Sequence, residues 1–445
     1  MRMNETAFSG RIRSAGKIFY PLLVIAVLIM LYLAYVQLIQ DRDEVPDIVI
    51  TKDKTVTVIQ NSTGAVLYEG NDDEKAIRVA VDSVGKGVIL FEKGTYNVTS
   101  PIGLGSDITL IGNDCSLIGY RIFRISDASD VVIKGFDFSD PDESYGRHSG
   151  TNSIVEITNS RNCQILDNTF RNYSAYGLYL STRSLQHHNS DIIIKGNQFL
   201  DYGYCGIMIG KQASNIYVDD NLFRNMNAKK VNPNSYGVAL AKGSTVYSYS
   251  EYIYIRNNTL ENNPRWEGID SHGANHVYIL DNTITDCRIP ISVAQINGDN
   301  LYPEPVHNVT IKGNYIKGNM SASLQDSGIY VIGGRGPGGL IQPYRDVIIS
   351  DNIITDVNNW LQSNDGGIVL MHVEGAQVYN NTISNVGGTG VNLAGANDVL
   401  VYENDIRNLV KISKPICSVS VSNVKDIYSI DIRDNKVDST DNCVF

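Results

Sequence analysis

A right-handed parallel β-helix is the fold class this sequence predicts, and three observations carry the prediction. The first is a phrase of apolar alternation, then Asp, Gly, Asn or Glu before an Asn, then an apolar side chain. It recurs at Asn168, Asn197, Asn221, Asn258, Asn282, Asn314, Asn352, Asn381, Asn404 and Asn435. Its spacing runs from 23 residues (Asn381 to Asn404) to 38 (Asn314 to Asn352), the range in which one supersecondary unit stacks on its copies. The second is a Gly-apolar-x-apolar beat after most of these asparagines, as in YGLYLS (176–181), CGIMIG (205–210), YGVALA (236–241) and GGIVLM (366–371). The third is alternation with period two rather than 3.6 in both segments, which marks strands.

Each coil therefore carries at least two short strands joined by tight turns, with a third connection of variable length. The Asn is expected where the chain turns sharply, because it tolerates a left-handed backbone. Stacked coils would also align the amides into a ladder. Near the start, residues 72–84 place Ala76, Val79, Ala80 and Val84 at helical spacing behind acidic residues, which predicts a short amphipathic helix. Such a helix would cap the open end and blunt its edge. The stretch from about 70 to 440 resembles the pectate-lyase-like superfamily of carbohydrate-active β-helix proteins. That resemblance implies a fold and a class of ligand, polysaccharides, but no single reaction.

Before the repeats, residues 18–40 form an apolar, uncharged stretch, long enough for a bilayer at about 20 residues per span. Arg2, Arg11, Arg13 and Lys17 precede it and Asp41, Asp43 and Glu44 follow, so the basic side is expected in the cytoplasm. The division is a cytoplasmic tail over 1–17, an uncleaved signal anchor over 18–40, a linker with leading strands over 41–70, and an outward-facing β-helix over 71–445. A net charge of −11 and the lack of a polybasic stripe exclude nucleic acid as the expected partner. Sequons at Asn61, Asn97, Asn172, Asn257, Asn308, Asn319 and Asn380 are candidate glycan acceptors in an exported chain. Cys115, Cys163, Cys205, Cys287, Cys417 and Cys443 include no C-x-x-C pair. They are expected to fill the core, with a Cys417–Cys443 disulfide one way to staple the last coils.

Laying the glycine strands over one another predicts two columns of side chains. Two residues after each glycine come Tyr179, Met208, Ala239, Asp270, Ser292 (where Pro290 replaces the glycine), Tyr330, Val369 and Asn392. Four after come Ser181, Gly210, Ala241, His272, Ala294, Ile332, Met371 and Ala394. Asp270 and His272 interrupt otherwise small, aromatic or apolar columns, on what should be an outward face. Trp266 and Glu267 come just before them. A carboxylate and an imidazole held together suit proton transfer near neutral pH, and a Trp offers a platform for a sugar ring.

Asp270, His272 and Glu267 are the candidate catalytic residues. Trp266, Lys242, Lys211, Tyr330 and Arg335 are the candidate substrate-binding residues, the lysines because they would offset a uronate's charge. No cofactor is identified, although a divalent cation such as calcium is compatible with the chemistry. The segment Gly268-Ile269-Asp270-Ser271-His272 also resembles the Tyr-Gly-Phe-Asp-Pro-His segment of mannuronan C5-epimerases. There the Asp and His belong to the active site, which implies the same for Asp270 and His272. Glu267 stands here in place of the Tyr, Ser271 in place of the Pro, and Ser292 in place of a further Asp.

Other segments weigh less. The loop 333–346 is glycine-rich but lacks the phosphate-loop pattern, and offers Arg335 or Arg345 for a carboxylate. Asp299, Tyr302 and Glu304 fall in the preceding loop, and His372 lies one residue beyond a glycine strand. His148, His187 and His188 have no third ligand at metal-binding spacing. The acidic and basic segments of polygalacturonases and calcium-dependent pectate lyases are missing, as is a nucleophile elbow. Two function classes stay open: an enzyme of lyase, epimerase or hydrolase type acting on an acidic or surface polysaccharide, and a non-catalytic glycan-binding rod.

Overall fold

The computed structural model describes residues 45–445, apart from 141–151, 227–233, 242–246, 296–305, 320–325, 336–340, 358–365, 411–416, 424–428, 438–442 and 445. The tail and anchor expected over 1–40 lie outside the described residues. Among those described, no helix is long and apolar enough to cross a membrane.

Coil follows coil through parallel pairing. Ser190–Lys195 pairs with Ser214–Asp219, Gln198–Leu200 with Leu222–Arg224, and Cys205–Ile209 with Tyr236–Leu240, all in register. The repeat therefore holds three strands. The one after the Asn is in most coils only three residues long, as at Gln198–Leu200 and Leu222–Arg224, too short for alternation to reveal it. Inward side chains form one continuous core from Ile48 to Val421, and Phe138, Phe170, Phe199 and Phe223 stack down its length at 4.9–5.0 Å. Each coil buries its apolar side only against its neighbours.

The amide ladder forms, with a shift of one residue. The left-handed position is the residue before each Asn, for example Asp167, Gly196, Asp220, Asn257 and Asp281. That leaves the Asn itself free to bury its amide along the stack. Asn258 Nδ2 donates to Val218 O at 2.8 Å and to Asn282 Oδ1 at 3.0 Å. Its Oδ1 accepts from the backbone N and Nδ2 of Asn221 at 2.9 and 3.0 Å. The pattern runs unbroken from Asn168 to Asn435.

Close approach explains the glycine column. A Cβ on Gly237 would sit 2.7 Å from Gly268 O and 2.5 Å from Leu260 Cδ2, and one on Gly268 would sit 2.7 Å from Pro290 O. Gly237→Ala is thus expected to destabilise the domain by about 1–3 kcal/mol, read as a lower urea midpoint.

The leading strands build a small sheet on the first coil. Val56–Gln60 pairs antiparallel with both Ile48–Lys52 and Ala65–Gly70, and Ile48–Lys52 joins the first coil strand, Gly87–Phe91, in parallel. The capping helix spans Asp73–Val84, with Asp72 accepting from Lys75 N at its start and Gly85 ending it at φ 59°. Its buried stripe is Ala76, Ile77, Ala80 and Val81, rotated slightly from the predicted one, so that Val79 and Val84 are half-buried at the flank. Two acids in the first turn anchor it. Asp73 pairs with Lys52 at 2.6 Å, and Glu74 bonds Thr99, Ser100 and Arg78. Although burial works the other way, these bonds hold the Glu74 carboxyl down at about 2.

Cys115, Cys163, Cys205 and Cys287 are buried, as core filling predicts, and none of the four is in a disulfide. Cys417 is disulfide-bonded. The side chain of Cys443, on a strand paired to the Cys417 strand, lies outside the described residues.

Candidate functional site

The glycine strands set the register of the first predicted column residue for residue. Tyr179, Met208, Ala239, Asp270, Ser292, Tyr330, Val369 and Asn392 are successive partners. Upstream the column continues through Glu156 and Arg124.

Asp270 and His272 meet as their spacing implies: His272 Nε2 lies 2.9 Å from Asp270 Oδ2. The face expected to point outward is covered rather than open at this rung, with Asp270 0% exposed and Glu267 6%. The cover is aromatic. Tyr176, Tyr204 and Tyr236 build a cluster separate from the main core, against which Tyr179, Met208 and Trp266 pack. None of these rings is adjacent to Asp270 in sequence; stacking brings them in.

Burial dominates the electrostatics. Glu267 is pushed up to about 9, first by desolvation and then by the charge of Asp270. Asp270 is also raised by desolvation, against the lowering pull of His272 and Ser292. Two carboxyls this close and this buried do not both ionise at neutral pH. Glu267 holds its proton at neutral pH, while at Asp270 the imidazole and the Ser292 hydroxyl work against burial. Among the described residues, donors in this buried pocket are few: Ser292 serves both carboxyls and His272 serves Asp270.

Sequence reasoning missed Arg288 and Asp326. Arg288 lies over the Trp266 ring at 4.9 Å and bonds Asp326 at 3.1 Å, next to Glu267. Arg288 stands in the run Cys287-Arg288-Ile289-Pro290, but only folding shows its partner. Ser292, the register partner of Asp270, is a small polar group where a further acid was sought.

The predicted binding residues scatter. Tyr330 stands two rungs past Asp270 on the same column. Lys211 directs its ammonium over the Tyr247 ring at 5.4 Å. Lys242, Asp299, Tyr302, Glu304 and His148 lie outside the described residues, as does the side chain of Arg335. Its backbone pairs with Ile341 in a small hairpin that Gln295 pins through Gln342 at 2.9 Å, so loop 333–346 is fastened one rung beyond His272. Arg345 is spent on Glu374 at 2.9 Å, and His372 takes a left-handed turn position at φ 52°. Among the described residues no three His, Cys, Asp or Glu side chains gather as a metal site.

The family described as a right-handed β-helix region matches residues 64–260 and 300–445. Curated protein sequences give no match. Among solved structures, the chain is similar to PfbA, a surface adhesin of Streptococcus pneumoniae, at 16% identity and a TM-score of 0.63, covering 78% of this chain and 88% of that one. It is also similar to the catalytic unit of a GH87 α-1,3-glucanase from Streptomyces thermodiastaticus, at 17% identity and a TM-score of 0.51, covering 84% and 67%. A double-mutant tailspike protein of E. coli bacteriophage HK620 follows at 14% identity and 0.50, covering 83% and 63%. At these identities the likeness is one of fold.

Proposed function

We propose, from the premise that this chain belongs to the right-handed β-helix family, that it cleaves glycosidic bonds of a surface polysaccharide at the Glu267–Asp270–His272 rung. The observation that carries this reading is the buried carboxyl pair beside an imidazole: Glu267 is pushed up to about 9 by burial, and Asp270, also raised by burial but pulled the other way by His272 and Ser292, faces His272 at 2.9 Å. Two acids in such unlike surroundings fit an acid and a base acting on one bond. Glu267 delivers its proton to the leaving oxygen. His272, a quarter exposed, takes the proton of the attacking water, and buried Asp270 orients the imidazole and stabilises its charged form. Trp266 supplies a flat apolar surface beside the acid for a sugar ring.

Hydrolysis suits the site better than β-elimination or epimerisation. A proton-loaded Glu267 is a poor C5 base, and Arg288, the nearby cation, is already committed to Asp326. Residues 18–40 would hold the domain at the outer face of a membrane with the N-terminus in the cytoplasm. The exposed sequon positions Asn61, Asn97, Asn172, Asn257, Asn319 and Asn380 would accept glycans in a glycosylating organism.

The fold is shared by a glucanase and an adhesin, so function rests on the site. A second reading, a glycan-binding rod, draws on the sealing of Asp270, which a substrate reaches only after its cover moves. Incubation with neutral and uronate-containing polysaccharides, with calcium or with chelator, separates the two. The expected result is new reducing ends without an unsaturated-uronate absorbance, insensitive to chelation and absent in the Asp270→Asn/His272→Ala protein. Binding without new ends, unchanged in that variant, supports the rod.

A further inference from the structure

Four to five rungs upstream on the same column, three guanidinium groups converge on one buried carboxylate. Glu156 is 3% exposed. Arg183 bonds its Oε1 at 2.7 Å, and Ser181 donates to the same oxygen at 2.9 Å. Arg121 and Arg124 stop 4.0 Å short of its Oε2, beyond hydrogen-bond reach. Arg124 Nε is buried and has no acceptor at all. Among the described residues, three positive charges face one negative, in a chain whose net charge is −11.

Like charges gathered without compensation are costly, and a buried N–H without an acceptor adds to the cost. A second anion would relieve both. Arginine's fork suits oxyanions, which accept two parallel N–H bonds. The next rung also suits a sugar, since Tyr179 is the register partner of Glu156 and belongs to the aromatic cover that continues to Trp266. Arg124, Glu156, Tyr179, Met208, Ala239 and Asp270 are consecutive partners, so at about 4.8 Å per rung the arginines lie roughly 19–24 Å from Asp270.

We infer that Arg121, Arg124 and Arg183 form a subsite for an oxyanion substituent, a carboxylate or sulfate, on a polysaccharide lying along the column toward Asp270. The inference rests on the proposed function for its ligand class, and it adds the charge that selects the polymer. Arg183 is shared with Glu156, so Arg121 and Arg124 carry the recognition. An extended chain is required, because a monosaccharide cannot span the distance between the two places.

The test is calorimetric binding of the full-length protein to polygalacturonate, dextran sulfate, uncharged dextran and inorganic phosphate. The wild-type protein is expected to bind at least one charged polymer about tenfold or more tightly than dextran, less so at high salt. Arg121→Gln/Arg124→Gln should remove that preference and leave dextran binding unchanged. Glu156→Gln, which removes the competing carboxylate, should strengthen binding of the charged polymer and keeps the test open if the double variant misfolds. Equal binding of charged and uncharged polymers by wild type overturns the subsite, as does an unchanged double variant. Phosphate binding as tight as the polymer's overturns the glycan as its source. The catalytic reading fails separately: charged-polymer binding that is retained in Asp270→Asn, with no cleavage by wild type, leaves the subsite standing alone.

Discussion

Glu267→Gln should cost about 10²–10⁴ in turnover and at the same time stabilise the protein at neutral and alkaline pH. The two effects share one cause. Burial raises the folded-state carboxyl to about 9 from an ordinary value of 4.5, so between those values the folded state holds a proton that the unfolded state has released. Stability then falls as pH rises through that window, because the native state binds more protons than the unfolded one. Below about 4.5 both states are protonated and the group contributes no pH dependence. Glutamine cannot ionise, so the variant should gain on wild type as pH rises, by about 2–5 kcal/mol at pH 8 given about 1.4 kcal/mol per unit. Urea midpoints at pH 4 and pH 8 would read the difference. In wild type the acid limb of catalysis should be lost as pH rises through about 9. A variant that loses activity without gaining stability would show that Glu267 is ionised in the fold.

Asn258→Leu should be the most damaging single change in the middle of the stack. The leucine would fill the space but break the amide ladder on both sides. It strands the backbone N and Nδ2 of Asn221, which lose their acceptor, and Val218 O, which loses a donor. A buried polar group left unsatisfied costs about 1–3 kcal/mol, so a loss of about 2–5 kcal/mol is expected, read as a lower denaturant midpoint and faster amide exchange in the adjoining coils. Asp220→Gly, one residue before a ladder Asn, should be nearly neutral, since glycine accepts its φ of 56° without strain. A neutral Asn258→Leu would mean that packing alone holds the coils.

Register was the most legible feature of the sequence, because a period of two leaves little freedom once glycines are aligned. The column from Tyr179 to Asn392, read from glycine spacing alone, consists of successive partners in the fold, and the Asp270–His272 contact follows. What escaped was whatever depends on more than one coil. The left-handed turn fell one residue early, because the pattern Asp-Asn does not say which of two tolerant residues takes it. The short third strand has no alternation to read. The sealing of Asp270 depends on Tyr204 and Tyr236, each from a different coil, and the Arg121, Arg124 and Arg183 cluster gathers side chains from two coils around a carboxylate from a third. Sequence spacing gives the ladder on which such groups stand, but not the company that stacking supplies.

The proposed chemistry is tested most directly by the crystal structure of the Glu267→Gln protein with an oligosaccharide of the polymer that wild type cleaves. The expected density crosses the Asp270 rung, with a glycosidic oxygen within hydrogen-bond reach of the substituted amide at position 267, a ring against Trp266 and the chain running toward Tyr179. An oligosaccharide bound elsewhere on the helix, with the Asp270 rung still sealed, would contradict it.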